Sequence, residues 1–365
     1  MTQKPYKSAL KVQGGIAQPA SVNKNALQNI RKNKPATLTT AQMVEGILAG
    51  NITLLSQAIT LIESTLAEHQ QRAQEVLKAC LPFSGKSVRV GITGVPGVGK
   101  SSFIDVLGTY LTKLRKKVAV LAIDPSSYRS KGSILGDKTR MEELSTDCHA
   151  FIRPSPSAGT LGGVAQKTWE SIILCEAAGF DTIFVETVGV GQSETLVHAM
   201  VDFFLLLMLA GAGDELQGIK RGIMEMADAL VINKADGNNI ARAKLAQTEY
   251  QNALHLYPLP DSGWLPVVTT CSAHEKTGIA DVWDIVEDYI AFTKRNNYFN
   301  IKRTEQDLQL MHHALKDLLL SNFYACDEIK DQIRQVEKDI EKKRISSYNA
   351  AKKLSELYYS ILNKR

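Results

Sequence analysis

The sequence lacks the features that define disulfide-rich, zinc-clustered and membrane-spanning proteins. Its cysteines are few and scattered, with no C-x-x-C pair, at Cys80, Cys148, Cys175, Cys271 and Cys326. An odd, unclustered set indicates reduced thiols of an intracellular protein rather than a disulfide framework or a zinc site. The best apolar run, Phe203–Ala210, has the length of a strand and falls short of the roughly 18 residues that span a bilayer. The start of the chain also lacks the apolar stretch of a secretory signal.

A strong charge bias is missing as well. The chain has 43 basic and 38 acidic side chains, and its formal net charge of +5 gives no argument for a nucleic-acid partner. The exception is residues 1–44, which contain seven Lys or Arg and no Asp or Glu. We expect residues 1–36 to form a basic, flexible tail. An organelle transit peptide is the alternative, although the stretch is richer in lysine than in arginine.

Apolar spacing divides the rest of the chain into three parts. In residues 37–82, a threonine cap at Thr39-Thr40 precedes apolar residues at helical spacing, and a second helical pattern runs from Leu54 to Leu66. We therefore predict a helical N-terminal segment. Residues 301–365 are charged and helical, with apolar residues four, three and four positions apart at Ile329, Ile333, Val336 and Ile340. This spacing fits an arm that packs on its own domain or one that dimerises.

Residues 83–300 alternate short β-branched runs with helical stretches. Such alternation predicts an α/β fold with a mostly parallel sheet that is flanked by helices. The predicted strands are Val88–Thr93, Val118–Asp124, Thr182–Glu186, Phe203–Leu209, Ala229–Asn233 and Val267–Thr270.

The strongest motif is the glycine-rich loop Gly94-Val95-Pro96-Gly97-Val98-Gly99-Lys100-Ser101, which fits G-x-x-x-x-G-K-[ST]. It directly follows a predicted strand and opens an apolar helix that continues through Ser102. The backbone N–H groups of such a loop and of the helix N-terminus face phosphate oxygens. Lys100 can reach the β- and γ-phosphates, and the Ser101 hydroxyl can bind Mg²⁺. The loop predicts a nucleoside triphosphate without saying which one.

A second motif, Asn233-Lys234-Ala235-Asp236, follows a predicted strand and indicates guanine. The Asp236 carboxylate can accept hydrogen bonds from guanine N1–H and the 2-amino group, whereas adenine would leave that charge unpaired. The loss of such a pairing costs on the order of 2–5 kcal/mol, which is enough to select GTP over ATP. Lys234 can pack its stem along the base, and Asn233 can tie the loop together. After the next strand, Ser272-Ala273 is expected to turn a backbone N–H toward guanine O6.

Three acidic residues are candidates for the magnesium site. Asp124 and Glu186 end predicted strands at the edge of a parallel sheet where ligands bind, and Asp137 lies in a charged loop that enters a helix. Turn and helix-capping roles are the alternatives for Asp124 and Asp137.

The segment after the strand that ends at Glu186 has the features of a nucleotide switch. In Glu186-Thr187-Val188-Gly189, Gly189 keeps an N–H free to meet the γ-phosphate, a contact that hydrolysis would remove. The next residue, Val190, stands where Ras-like enzymes have a glutamine that orients the attacking water. Valine cannot do this, so Gln192 is our candidate for a substitute. We therefore expect slow GTP hydrolysis in the absence of a partner.

Four longer runs resemble the MeaB/ArgK family of P-loop GTPases, of the SIMIBI class. They are Asp124–Ser127, Gly132–Met141, Glu186–Glu194 and Ala210–Lys220, and the resemblance extends over roughly residues 37–340. It implies bound GTP or GDP with Mg²⁺, magnesium-site and switch roles for Asp124, Asp137 and Glu186, and a catalytic role for Lys220 in a third switch.

The resemblance also implies a biological role. Family members are GTPase chaperones of adenosylcobalamin-dependent methylmalonyl-CoA mutase that gate cofactor loading and protect or reactivate the mutase. They dimerise through a C-terminal helical arm, which favours dimerisation for residues 301–365. Neither nucleic acid nor a membrane is expected as a partner. The expected location is the bacterial cytoplasm, with the mitochondrial matrix as the alternative.

Two other functions stay open at this point. One is an ATP-dependent kinase or transport ATPase for basic amino acids, a label historically attached to this family, although Asp236 argues against ATP. The other is a metallochaperone GTPase for nickel. A metallochaperone would need a His-rich tract or a Cys-Pro-Cys motif, and the sequence offers only the adjacent pair His312-His313.

Overall fold

The computed structural model describes residues 38–123, 141–154, 161–187, 193–211 and 221–363. Several predictions fall outside these ranges. They concern the basic tail and the site residues Asp124, Asp137, Gly189, Gln192 and Lys220.

The centre of the fold is a seven-stranded parallel sheet in the order β3-β2-β4-β1-β5-β6-β7. Its strands are β1 Val88–Gly94, β2 Val118–Ile123, β3 Ala150–Pro154, β4 Thr182–Thr187, β5 Phe203–Leu209, β6 Ala229–Asn233 and β7 Val267–Thr270. The register places Val90 of β1 between Phe184 of β4 and Phe203 of β5. The α/β prediction and all six predicted strands are thereby confirmed. The additional strand, β3, lies at the sheet edge. Because it ends in Arg153-Pro154, its apolar pattern is too short to predict a strand.

The described residues form twelve α-helices. They are α1 Thr40–Leu48, α2 Ile52–Glu63, α3 Ala67–Cys80, α4 Lys100–Lys113, α5 Leu161–Ala177, α6 Ser193–His198, α7 Arg221–Glu225, α8 Ile240–Leu254, α9 Ile279–Arg295, α10 Tyr298–Ala325, α11 Asp327–Glu341 and α12 Ser347–Leu362.

Both faces of the sheet are buried because the side chains of each strand alternate between them. In β2, Val118 and Val120 pack into a core with α4 and α9, whereas Ala119 and Leu121 pack on the opposite face with α1, α2, α3 and α5. In β5, Leu206 and Met208 contribute to a third core with α8. The sheet is therefore covered by helices on both sides.

The N-terminal segment contains three helices where the sequence pattern suggested two. The side chain of Asn51 caps α2 by accepting hydrogen bonds from the amides of Thr53 and Leu54. The second helix ends at Glu63 rather than near Leu66, and α3 follows. Its few buried residues, among them Val76 and Leu77, explain why apolar spacing alone did not reveal it.

The sequence predicts that the C-terminal helical arm begins at residue 301. In the structure its first helix, α10, begins earlier, at Tyr298, and runs through that boundary. Its first turns are bound to the amino-terminal end of β5. The Arg303 guanidinium donates to the Asp202 carboxylate at 2.7 Å, Lys302 Nζ donates to the Asp202 carbonyl at 2.8 Å, and Gln306 Nε2 donates to the Val201 carbonyl at 2.8 Å. The expected break near Ser346 is present, since Ser346 caps α12. Among the described helices, none has both the length and the apolar character needed to cross a membrane.

Candidate nucleotide-binding site

Three predicted motifs meet at one edge of the sheet. β1 ends at Gly94, β4 at Thr187 and β6 at Asn233. Because all strands are parallel, their carboxyl ends lie at the same edge, where ligands bind in α/β proteins. The structure thus brings together the glycine-rich loop, Glu186 and the Asn233–Asp236 motif, which are far apart in the sequence.

The conformation of the glycine-rich loop depends on residues without a side chain. Gly94 has φ 154° and Gly99 has φ 90°, a region that L side chains rarely adopt. A Cβ atom at Gly94 would lie 2.3 Å from the Leu207 carbonyl oxygen, so β5 leaves no room for it. With Gly99 in the left-handed conformation, α4 begins at Lys100. The loop and the first turn of α4 together form the cradle that the motif predicts for phosphate.

Lys100 is buried beneath this loop, with 9% of its surface exposed. Its Nζ donates to the carbonyl oxygens of Gly94 at 2.9 Å and Val95 at 3.3 Å. An ammonium group has three donors, so these two bonds fix its position and leave one for a phosphate. Burial lowers the pKa of Lys100, and the carboxylates of Glu186 and Glu194 act in the opposite direction.

Glu194 ends the run Glu186–Glu194, which the sequence assigns to the switch region, but its spacing predicted no part for its carboxylate beside Lys100. It lies in the first turn of α6 and is 3% exposed, and its charge acts on Lys100. The sequence signal was its place shortly after Glu186, but spacing alone could not show that α6 returns toward the phosphate loop.

The predicted magnesium residues Ser101 and Glu186 are in direct contact. The Ser101 hydroxyl donates to Glu186 Oε1 at 3.0 Å. Beside them, the Thr187 hydroxyl donates to the Thr93 hydroxyl at 2.8 Å, which joins the ends of β4 and β1. A hydroxyl and a carboxylate at this distance are hard oxygen ligands of the kind that Mg²⁺ takes alongside nucleotide phosphates. The residues present therefore fit the ion.

Asn233 connects the guanine motif to the phosphate loop. Its Nδ2 donates to the Val98 carbonyl at 2.9 Å, and its Oδ1 accepts from the amides of Lys234 at 2.8 Å and Ala273 at 3.1 Å. The Ala273 amide, expected to face guanine O6, is thus turned toward Asn233. The Lys234 Nζ donates to the Gly97 carbonyl at 2.8 Å, so its stem extends from the base motif to the loop.

Ser272, predicted to lie near the base through its backbone, also orients the Asp236 carboxylate through its hydroxyl. The Ser272 Oγ donates to Asp236 Oδ2 at 2.5 Å and accepts from the Glu275 amide at 3.0 Å. Asp236 is only partly buried, so its other oxygen can meet a base. Of the remaining predicted contacts, Pro96 and Ser102 are exposed at the loop and at the start of α4.

Comparisons with known proteins agree with this geometry. Residues 55–328 match the family model described as methylmalonyl Co-A mutase-associated GTPase MeaB. The chain is 44% identical over 315 residues to a probable GTPase of Mycobacterium tuberculosis, covering 86% of this chain and 94% of the relative. It is 42% identical over 318 residues to GTPase ArgK of Escherichia coli, covering 87% and 96% of the two chains.

A mitochondrial relative and a solved structure extend the comparison. The methylmalonic aciduria type A homolog of Mus musculus is 43% identical over 329 residues, covering 87% of this chain and 79% of the relative. The solved structure is that of a protein named LAO/AO transport system kinase. It superimposes with a TM-score of 0.70 at 36% identity, and the match covers 88% of this chain and 97% of that one. The chain therefore belongs to the methylmalonyl-CoA mutase-associated GTPase family MeaB and is a P-loop GTPase that binds GTP and GDP.

Proposed function

We propose that this protein is a GTP-dependent chaperone that gates adenosylcobalamin loading of methylmalonyl-CoA mutase and protects or reactivates that enzyme. The observation that carries the proposal is the contact between Ser101 and Glu186, which links the phosphate loop to the end of β4. Residues 188–192 follow directly and join β4 to α6. A change at the γ-phosphate can therefore act on this segment. The family description and the mouse relative supply the choice of mutase.

Within the site we assign separate roles to the charged and hydroxyl groups. Lys100 neutralises charge on the β- and γ-phosphates, as its position under the loop allows. Ser101 and Glu186, with Asp124 and Asp137, would hold Mg²⁺ directly or through water. When bound, the ion would neutralise charge between the two terminal phosphates. Gly189 senses the γ-phosphate, Gln192 positions water, and Lys220 adds positive charge when the partner binds.

The base is held by the second half of the site. Asp236 accepts from the guanine N1–H and 2-amino groups, while Ser272 keeps its carboxylate oriented. Asn233 and Lys234 hold this motif against the phosphate loop through Val98 and Gly97. These bonds connect the residues that bind the base to the loop that binds the phosphates.

We further propose that the protein is a homodimer built through the C-terminal helices. Leucine and methionine side chains on α10 are about half exposed at helical spacing: Leu308 52%, Met311 52%, Leu315 51%, Leu318 62% and Leu319 57%. Burial of such a stripe contributes about 25 cal/mol per Å² of apolar surface. A second copy of the chain can cover it with the same residues.

The solved neighbour is named as a transport system kinase, and a kinase would suggest ATP as substrate. The Asp236 carboxylate, oriented by Ser272, favours guanine instead, because adenine has neither an N1–H nor a 2-amino group to donate to it. Bacterial and mitochondrial relatives both exist. We place this protein in the bacterial cytoplasm.

The test is a GTPase assay with and without an adenosylcobalamin-dependent mutase from the same host. We expect GTP turnover to rise when the mutase is added and cofactor transfer to require GTP. Lys100→Ala serves as the control without phosphate binding. A turnover rate that is already fast alone, or that no mutase changes, would contradict the proposal.

A further inference from the structure

A second group of side chains with metal-binding chemistry lies far from the nucleotide site. Among the described residues, Asp147, Cys148 and His149 form the one group of three whose ligand atoms all lie within 4.8 Å of one another. The three residues precede β3, and the His149 carbonyl accepts from the Val118 amide at the start of β2. This is the amino-terminal edge of the parallel sheet, opposite the edge that holds the phosphate loop.

The three ligand atoms lie close together. The Cys148 sulfur lies 3.3 Å from His149 Nδ1, and Asp147 Oδ1 lies 3.6 Å from the same nitrogen. A tetrahedral zinc ion with bonds of about 2.0–2.3 Å to N, O and S ligands places those ligand atoms about 3.3–3.7 Å apart. These two separations fall within that range.

The turn that carries these side chains is held by the backbone. The Asp147 amide donates to the Leu144 carbonyl at 3.2 Å, and the Ala150 amide donates to the Asp147 carbonyl at 3.1 Å. The Asp147 carboxylate accepts from the His149 amide at 2.8 Å. This bond orients the carboxylate as outer-shell groups orient metal ligands.

The other two side chains are open to solvent. Cys148 is exposed, and the His149 side chain is 48% exposed, whereas the Asp147 side chain is 25% exposed. An incoming ion can thus reach the sulfur and the nitrogen without any change in the fold. Thiolate and imidazole select late first-row divalent ions over Mg²⁺.

We propose that Asp147, Cys148 and His149 bind a zinc-class divalent ion, with the fourth coordination position open to water or to a ligand from another molecule. This site goes beyond the proposed chaperone function and does not depend on it.

The experiment is a Co²⁺ titration of the chelator-treated full-length protein, with Mg²⁺ and GDP present to fill the nucleotide site. We expect one equivalent of Co²⁺ to give a thiolate-to-metal absorption band in the near ultraviolet, and Zn²⁺ to abolish that band by displacing cobalt. Cys148→Ser should remove the band, and His149→Ala should weaken binding by at least tenfold.

The matched control is Cys326→Ser, because Cys326 also lies beside a carboxylate, with Sγ 3.1 Å from Glu328 Oε2. This variant should bind Co²⁺ like the parent protein. A parent protein without the thiolate band, or a Cys148→Ser variant that keeps it, would overturn the proposal. GTP turnover, measured in parallel, should be the same in the parent, Cys148→Ser and Cys326→Ser proteins, which separates this site from the nucleotide site.

Discussion

Replacement of Asp236 by alanine tests how the base is selected. The carboxylate receives one hydrogen bond from Ser272 and is only partly buried, so its loss opens no cavity in the core. What the variant loses is the pairing of a charge with two guanine donors, which costs on the order of 2–5 kcal/mol. At 1.4 kcal/mol per tenfold, the affinity for GTP should fall by roughly 30- to 4,000-fold.

Xanthosine triphosphate provides the comparison, because xanthine has an oxygen where guanine has the 2-amino group. Alanine at position 236 should weaken XTP binding far less than GTP binding, and Asp236→Asn should favour XTP over GTP. Equilibrium titration with fluorescent derivatives of both nucleotides measures these affinities. Ser272→Ala, which keeps the carboxylate but removes its hydroxyl partner, should cause a smaller loss. Equal losses of GTP and XTP affinity in Asp236→Ala would refute the assigned role.

The other predictions concern the phosphate loop, the attachment of the C-terminal helices and a partly buried histidine. Lys100→Ala should abolish triphosphate binding or turnover, because it removes the ammonium that the Gly94 carbonyl holds beneath the loop; unchanged hydrolysis would remove the loop from the mechanism. Arg303→Ala leaves the buried Asp202 carboxylate without its cation and should lower the free energy of unfolding by about 3–5 kcal/mol in denaturant titrations. Arg334 forms an ion pair with Asp331 on the exposed surface, and Arg334→Ala should change the free energy of unfolding by less than about 1 kcal/mol. Burial lowers the pKa of His198 to about 4. As the pH falls, His198 is therefore protonated in the unfolded chain before it is protonated in the folded protein. The free energy of unfolding should fall by up to about 3 kcal/mol as the pH drops from about 6.5 to 4. His198→Asn should flatten that part of the pH profile, and an unchanged profile would contradict the assignment.

The difference between what the sequence predicts and what it hides is clear at the guanine motif. The spacing of Asn233, Lys234 and Asp236 after an apolar strand identifies the base. The same spacing does not show that Asn233 donates to Val98, or that its oxygen receives the Ala273 amide. Val98 and Ala273 lie in the segments that follow β1 and β7, and only the strand order brings these segments next to Asn233.

Strand β3 shows a second limit of prediction from the sequence. β3 is short, lies at the sheet edge and ends in Arg153-Pro154, so its apolar pattern is weak. The Arg153 side chain forms an ion pair with Glu63 of α2, which attaches the edge strand to the N-terminal helices. Arg153 interrupts the apolar pattern of the sequence, and in the fold it forms a tertiary contact.

The sequence by itself determined the parallel α/β architecture, the phosphate loop and the choice of guanine, because these depend on local periodicity and on short motifs whose chemistry lies within a few residues. The tertiary structure decided which distant groups share a site. It placed Glu186 against Ser101, brought the charge of Glu194 to bear on Lys100 and joined Arg303 to Asp202. These pairings follow from the packing of strands and helices, and they cannot be predicted from the spacing of residues along the chain.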